Sequence, residues 1–111
     1  MELQQIAASL TMWARRKPLV KRVFIFGSRI RDNHRPDSDI DIAIELDPTV
    51  FQGSDESGGL ATWMFEAKGW KEEIQEFIPF EVQLERFQEN QTPTVGRGLA
   101  ESSQLVYEKA I

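Results

Sequence analysis

Two strand-forming segments separated by a turn-rich loop constrain the fold most. Residues 23–26 are apolar at every position, which is typical of an interior strand, and this strand is predicted to end at Gly27. Residues 39–46 alternate instead, with isoleucine or leucine at the even positions and mostly acidic residues at the odd ones. This alternation predicts a second strand whose apolar face meets a core, because successive side chains of a strand point to opposite faces.

Helical periodicity surrounds these strands. A helix is predicted near residues 2–16, and a second apolar stripe predicts a helix from Leu60 to Ile78, ending before Pro79. Residues 80–85 alternate as a third strand, and Thr92-Pro93 begins a last helix that runs to about Ser103, before a short apolar end. The predicted order is α-β-β-α-β-α, which indicates an α/β domain with a small mixed sheet flanked by helices.

Composition limits the classes of function. The 111 residues, 41% of them hydrophobic, fit one domain spanning residues 1–111. The chain has no cysteine, so thiolate metal sites and disulfides are excluded. No apolar run approaches the ~18 residues of a membrane span, and no signal peptide is evident, so we expect a cytoplasmic protein. A net charge of -5 disfavours nucleic acid as the main partner.

Asp39 and Asp41 are candidate metal ligands. On a strand they project from one face, with Cα atoms roughly 6.5 to 7 Å apart, and can share a Mg²⁺ ion that also binds substrate phosphates. Alone, a D-x-D pattern more often marks two exposed acids on a half-buried strand. Gly27 and Ser28 favour the functional interpretation, because a backbone without side-chain bulk and a hydroxyl can approach a phosphate.

Gly27-Ser28, ten intervening residues and Asp39-Ile40-Asp41 together form the pattern G-S-x10-D-x-D. With the wording RPDSDIDIAIEL, this pattern resembles the minimal nucleotidyltransferase (MNT) family of the polymerase-beta-type nucleotidyltransferase superfamily. The resemblance implies a nucleotidyltransferase fold and Mg²⁺-dependent transfer of a nucleoside monophosphate, AMP from ATP, to a hydroxyl group. It further implies that Gly27 and Ser28 hold the phosphates, and that Asp39 and Asp41 bind two metal ions.

The sequence departs from that family at the third acidic position. Relatives usually read V-D-L on the third strand, whereas this chain reads Val82-Gln83-Leu84. The Gln83 amide has an oxygen that can ligate a cation, but it has no negative charge and cannot act as a base. Glu81 and Glu85 share its predicted face, each about 6.5 Å away along the strand. The third catalytic position is therefore Gln83, with either glutamate as a candidate substitute.

The resemblance also implies a partner protein. Many MNT proteins are antitoxins paired with a helical HEPN-family toxin, and some attach AMP to a tyrosine of that toxin. We therefore expect an antitoxin that modifies a helical partner. The alternative is a catalytically degenerate binding module that neutralises its partner by occlusion, which Gln83 favours. Transfer to a small molecule is less favoured because the chain is too short to add an acceptor-binding domain, and oligomer formation stays open.

Overall fold

The fold is a four-stranded mixed sheet in the order β3-β2-β1-β4, flanked by helices. The computed structural model describes residues 2–27, 39–51, 57–88 and 92–110. The elements within these ranges are α1 (Leu3–Arg15), β1 (Val20–Phe26), β2 (Ile40–Leu46), α2 (Pro48–Phe51), α3 (Leu60–Gln75), β3 (Val82–Phe87), α4 (Pro93–Glu101) and β4 (Ser103–Glu108). The predicted α/β class with a small mixed sheet is confirmed. None of the helices in the described ranges has the length and hydropathy to cross a membrane.

Two elements are missing from the predicted order. The last helix ends at Glu101, and the segment from Ser103 to Glu108 is a strand that pairs antiparallel with β1. β4 forms because the backbone N–H and C=O groups on the side of β1 away from β2 need hydrogen-bond partners. The side chains of β4 are mostly exposed and contribute less. The short helix α2 follows Asp47, whose side chain accepts hydrogen bonds from the Thr49 amide and hydroxyl at 3.0 and 2.7 Å.

Strand direction brings four strand ends to one edge of the sheet. β2 is antiparallel to β1 and parallel to β3, while β4 is antiparallel to β1. The last residue of β1, Phe26, is therefore the register partner of Asp41 on β2 and of Ser103 on β4. The first residues of β2 and β3, Ile40 and Val82, are also partners. This edge therefore gathers the end of β1 and the beginnings of the other three strands.

β2 is more buried than its alternating sequence predicts. The pattern indicates a half-buried strand, but Ala43 is 0% exposed and Glu45 only 5%. β2 lies between β1 and β3, and the Arg22 guanidinium on β1 approaches Glu45 with an Nε to Oε1 distance of 2.8 Å. This cross-strand ion pair offsets the cost of burying the carboxylate, so Ala43 and Glu45, the second half of the polar face, become part of the interior.

α1 covers one face of the sheet with an apolar stripe. Its inward residues recur at helical spacing, and Leu10 and Trp13 are almost fully buried. The Trp13 indole donates to Glu73 Oε1 on α3 at 3.0 Å and packs edge-on against Trp70. The Lys17 ammonium and the Trp13 donor together lower the pKa of Glu73. These contacts fix α1 and α3 against each other beside the central strands.

Candidate functional site

The edge of the sheet where the strands converge carries four of the five residues singled out in the sequence: Gly27, Asp39, Asp41 and Gln83. We call these four residues the acidic edge. Asp41 is the register partner of Gln83 on β3, and Gly27 directly follows the residue that Asp41 pairs with on β1. The Gly27 amide donates to the Ser102 carbonyl at 3.3 Å, which joins the start of β4 to the same place. Residues distant in sequence therefore meet on adjacent strands.

Gly27 leaves space for the Asp41 carboxylate. Its φ is +81°, a conformation that side chains other than glycine rarely adopt. A β carbon at this position would collide with Asp41 Oδ2 and lie 3.4 Å from the carboxyl carbon. Glycine is therefore required here by the backbone angle and by the neighbouring side chain.

Gln83 lies on β3 where the third acid was expected, and it contacts Asp39. The Gln83 Nε2 atom donates to Asp39 Oδ2 at 3.1 Å. The Ile40 amide, next to Asp39 in sequence, donates to the Glu81 carbonyl at 2.9 Å and aligns the two strand ends. The side chain at the third position is thus within hydrogen-bonding distance of one carboxylate, and it is a neutral amide.

Neither of the two glutamates considered as a substitute for the third acid is placed to fill that role beside Asp41. Glu81 Oε1 lies 3.2 Å from the Lys71 Nζ atom of α3, so its charge is already paired. Glu85 is exposed and is the register partner of Ala43, two residues further along β2 than Asp41. Neither glutamate stands beside Asp41 in the register of the sheet.

Gln75, at the end of α3, fixes the segment that leads into β3. Its Nε2 atom donates to the carbonyls of Ile78 and Phe80 at 3.1 and 2.6 Å, and its Oε1 atom accepts from the Val82 amide at 3.0 Å. The side chain therefore determines where β3 begins, one residue before Gln83. Sequence reasoning missed this role, because a glutamine at the end of a helix carries no distinguishing signal.

The donors of the acidic edge suit a hard cation. Carboxylate and amide oxygens are the ligands that Mg²⁺ prefers, and Asp39, Asp41 and Gln83 could supply them. In the part of the chain that the structure describes, no group of three His, Cys, Asp or Glu side chains could hold a metal ion. The predicted phosphate ligand Ser28 lies outside the described residues. The site therefore offers two carboxylates and one amide.

A depression at the opposite end of the sheet has a different chemistry. It is lined by Lys21, Asp47, Pro48, Thr49, Lys109 and Ala110. The Lys109 ammonium lies 2.7 Å from Asp47 Oδ2 and also donates to the Pro18 carbonyl at 2.9 Å. This lysine joins the end of the chain to the loop after β2, so the cluster is explained by packing.

Comparisons with known proteins agree with the geometry. The sequence model of the nucleotidyltransferase domain family matches residues 9–94. No curated protein sequence matches the chain significantly.

Three solved structures share the fold. A toxin–antitoxin structure with AMP-PNP is 17% identical, with a TM-score of 0.58, covering 97% of this chain and 75% of that chain. The MntA–HepT toxin–antitoxin structure is 17% identical, with a TM-score of 0.55 and coverage of 96% and 73%. A mutant of that toxin–antitoxin complex, in which two aspartates separated by one residue are changed to glutamate, is 13% identical, with a TM-score of 0.58 and coverage of 94% and 73%. At these identities the similarity shows the fold.

Proposed function

The chain belongs to the nucleotidyltransferase domain family, and from this premise we propose that its acidic edge binds a nucleoside triphosphate with Mg²⁺ and transfers the nucleoside monophosphate to a hydroxyl group. ATP is the proposed substrate, so the transferred group is AMP. The chain would act as one minimal domain, in the cytoplasm, as the antitoxin of a toxin–antitoxin pair.

The observation that carries this proposal is the convergence of Gly27, directly after β1, with Asp41 on β2 and Gln83 on β3. Glycine adopts this positive φ without steric cost, and the missing side chain lets the Asp41 carboxylate lie directly against the backbone. This arrangement becomes useful where the backbone must approach a ligand closely and the carboxylate must face it. Asp39, exposed beside the same edge, provides the second carboxylate.

Each residue of the site has a proposed role in the reaction. Asp39 and Asp41 would hold Mg²⁺, two ions in the full site, and bound Mg²⁺ would neutralise charge on the phosphates. Gly27 and Ser28 would orient the triphosphate. The acceptor oxygen forms a bond to the α-phosphorus while the bond to the leaving pyrophosphate breaks. Gln83 cannot take the proton of the acceptor hydroxyl, so that proton would go to solvent or to a group of the partner.

We propose that the acceptor belongs to a helical HEPN-type partner. Complexes of a toxin with an antitoxin share this fold, which makes the pairing the natural hypothesis for this chain. Exposed apolar side chains near the start of α3 support it: Leu60 is 47% exposed, Met64 72% and Phe65 84%. Exposed apolar side chains that lie close together commonly mark a site of protein–protein contact. We call these three residues the α3 apolar face.

The second candidate is a nucleotidyltransferase-fold binding module without catalysis. The observation that favours it is the Gln83 amide in the place where relatives carry an acid. Such a module would bind its partner through an apolar surface and neutralise it by occlusion.

A transfer assay separates the two candidates. The chain is incubated with Mg²⁺ and labelled ATP, with and without a candidate helical partner of the HEPN type, and label on the partner and released pyrophosphate are followed. The enzyme transfers label, and Asp39→Asn or Asp41→Asn abolishes the transfer. Glu85→Gln, which removes an exposed charge from the same strand as Gln83, is the matched control and keeps it. A tight complex without label on the partner, with any of the four nucleotides, contradicts the enzyme and supports occlusion.

A further inference from the structure

We propose that the acidic edge holds one divalent cation tightly and a second one only weakly, because Gln83 is a neutral positioning residue for Asp39. This inference rests on the proposed function, since it concerns the ions that would accompany the nucleotide. Tight binding of one ion is enough for nucleotide binding, whereas efficient transfer of the nucleoside monophosphate would need both ions.

The first step is the orientation of the Gln83 amide. The atom that faces Asp39 Oδ2, at 3.1 Å, is the amide nitrogen. An amide nitrogen donates two hydrogen bonds and offers no lone pair to a cation. The hydrogen bond therefore holds the Asp39 carboxylate in place. In this orientation, Gln83 and Asp39 cannot bind the same cation together. For its oxygen to take the position of the nitrogen, the amide would have to turn and give up this hydrogen bond.

The second step is the charge available to two ions. Ions in a two-metal phosphoryl-transfer site lie about 3.5 to 4 Å apart and repel each other, so carboxylates near both ions are needed to offset the repulsion. Here Asp39 and Asp41 supply two negative charges for four positive ones. Among the residues that the structure describes, no third His, Cys, Asp or Glu joins them to form a metal-binding group.

The third step concerns the two glutamates of the same segment. The Lys71 ammonium lies 3.2 Å from Glu81 Oε1 and offsets the charge that this glutamate would bring to a cation. Glu85 stands opposite Ala43, so it lies one side-chain repeat beyond the residue that faces Asp41. The first ion is thus shared between the two aspartates and the phosphates, whereas the second depends on the substrate for most of its negative ligands.

The test measures metal affinity and needs no turnover. The full chain is saturated with AMP-PNP, and Mn²⁺ is titrated while electron paramagnetic resonance reports the free ion, with AMP-PNP alone as the blank. We expect two binding steps, the second at least about tenfold weaker than the first. Gln83→Asp should tighten the second step by about 10- to 100-fold, the range typical of changes around metal ligands. Gln88→Asp adds the same charge just beyond the opposite end of β3 and should leave both steps unchanged.

A second variant tests the positioning role. Gln83→Leu removes the donor to Asp39 and should weaken the first step several-fold, an effect that a purely structural residue would not have once circular dichroism shows native folding. Two steps of equal affinity in the unchanged chain would overturn the inference, as would a second step insensitive to Gln83→Asp. If AMP-PNP and Mn²⁺ do not bind the folded chain at all, the proposed function fails together with the inference.

Discussion

The Asp41 carboxylate occupies the space where Gly27 would carry its β carbon. Gly27 immediately follows the end of β1, and Asp41 lies on the adjacent strand β2. The glycine is therefore part of the acidic edge even though it contributes no side chain.

Gly27→Ala should displace the Asp41 carboxylate and strain the backbone. We expect the free energy of unfolding to fall by about 1 to 3 kcal/mol, the usual cost of a side chain at a positive φ. Nucleotide affinity should fall at least about tenfold, because the carboxylate must move. Urea denaturation and calorimetric titration with Mg²⁺ and AMP-PNP measure the two effects.

Gly69→Ala is the matched control for that substitution. Gly69 lies within α3, and a β carbon there would meet no atom within 4 Å. Alanine should stabilise this helix by roughly 0.5 to 1 kcal/mol and leave nucleotide affinity unchanged. Equal losses of affinity in the two variants would show that Gly27 has no special relation to Asp41.

Gln75→Met should weaken metal binding at the acidic edge, although Gln75 is not part of that site. Methionine keeps the approximate size of glutamine but leaves the Val82 amide and the carbonyls of Ile78 and Phe80 without their side-chain partner. We expect a loss of about 1 to 3 kcal/mol in the free energy of unfolding, together with weaker Mn²⁺ binding, as β3 is released. Gln104→Met on exposed β4 should change neither quantity, and comparable effects in both variants would contradict this role.

The α3 apolar face should bind the protein partner. Met64→Ser with Phe65→Ser should weaken binding to the partner at least about tenfold while stability stays within about 0.5 kcal/mol, since both side chains are exposed. Met12→Ser removes a comparable side chain, 67% exposed on α1, and serves as the control. Surface plasmon resonance with the immobilised partner measures the change. Unaltered affinity in the double variant would exclude this face as the contact surface.

Lys109 should stabilise the fold in a pH-dependent way. Its hydrogen bond, with that of Thr49, lowers the pKa of Asp47 from 3.8 to about 2. Because the pKa is lower in the folded state, the contribution of Asp47 is complete above about pH 4 and is lost as the pH falls towards 2. Lys109→Met should therefore destabilise the protein by up to about 1 kcal/mol at neutral pH, and this difference should shrink below pH 4.

Urea denaturation at a series of pH values follows that difference. Lys68→Met, which removes an exposed lysine from α3, should show no comparable dependence. A destabilisation by Lys109→Met that is the same at neutral and acidic pH would mean that Lys109 acts through packing alone.

The sequence predicted the elements that have strong local patterns. α1 and β2 follow their apolar periodicity to within a residue or two, and the convergence of Gly27, Asp41 and Gln83 agrees with the spacing of the motif. Side-chain alternation on a strand is a local property, so it survives in the sequence without knowledge of the neighbouring strands.

Features that depend on distant residues were not predictable. The burial of Glu45 requires Arg22 on the neighbouring strand, and β4 requires the free edge of β1 more than any pattern of its own. The hydrogen bond between Gln83 and Asp39 joins residues 44 positions apart, and its donor atom cannot be inferred from residue types. This last contact is what distinguishes the acidic edge from a site in which the third position is an acid.

The affinity of the folded chain for AMP-PNP, with and without Mg²⁺, tests the central claim most directly. We predict Mg²⁺-dependent binding to the unchanged chain, a loss of at least about tenfold in Asp41→Asn, which keeps the size of the side chain and removes its charge, and no significant change in Glu85→Gln. Binding that is independent of Mg²⁺, or equal in the unchanged chain and Asp41→Asn, would contradict the account.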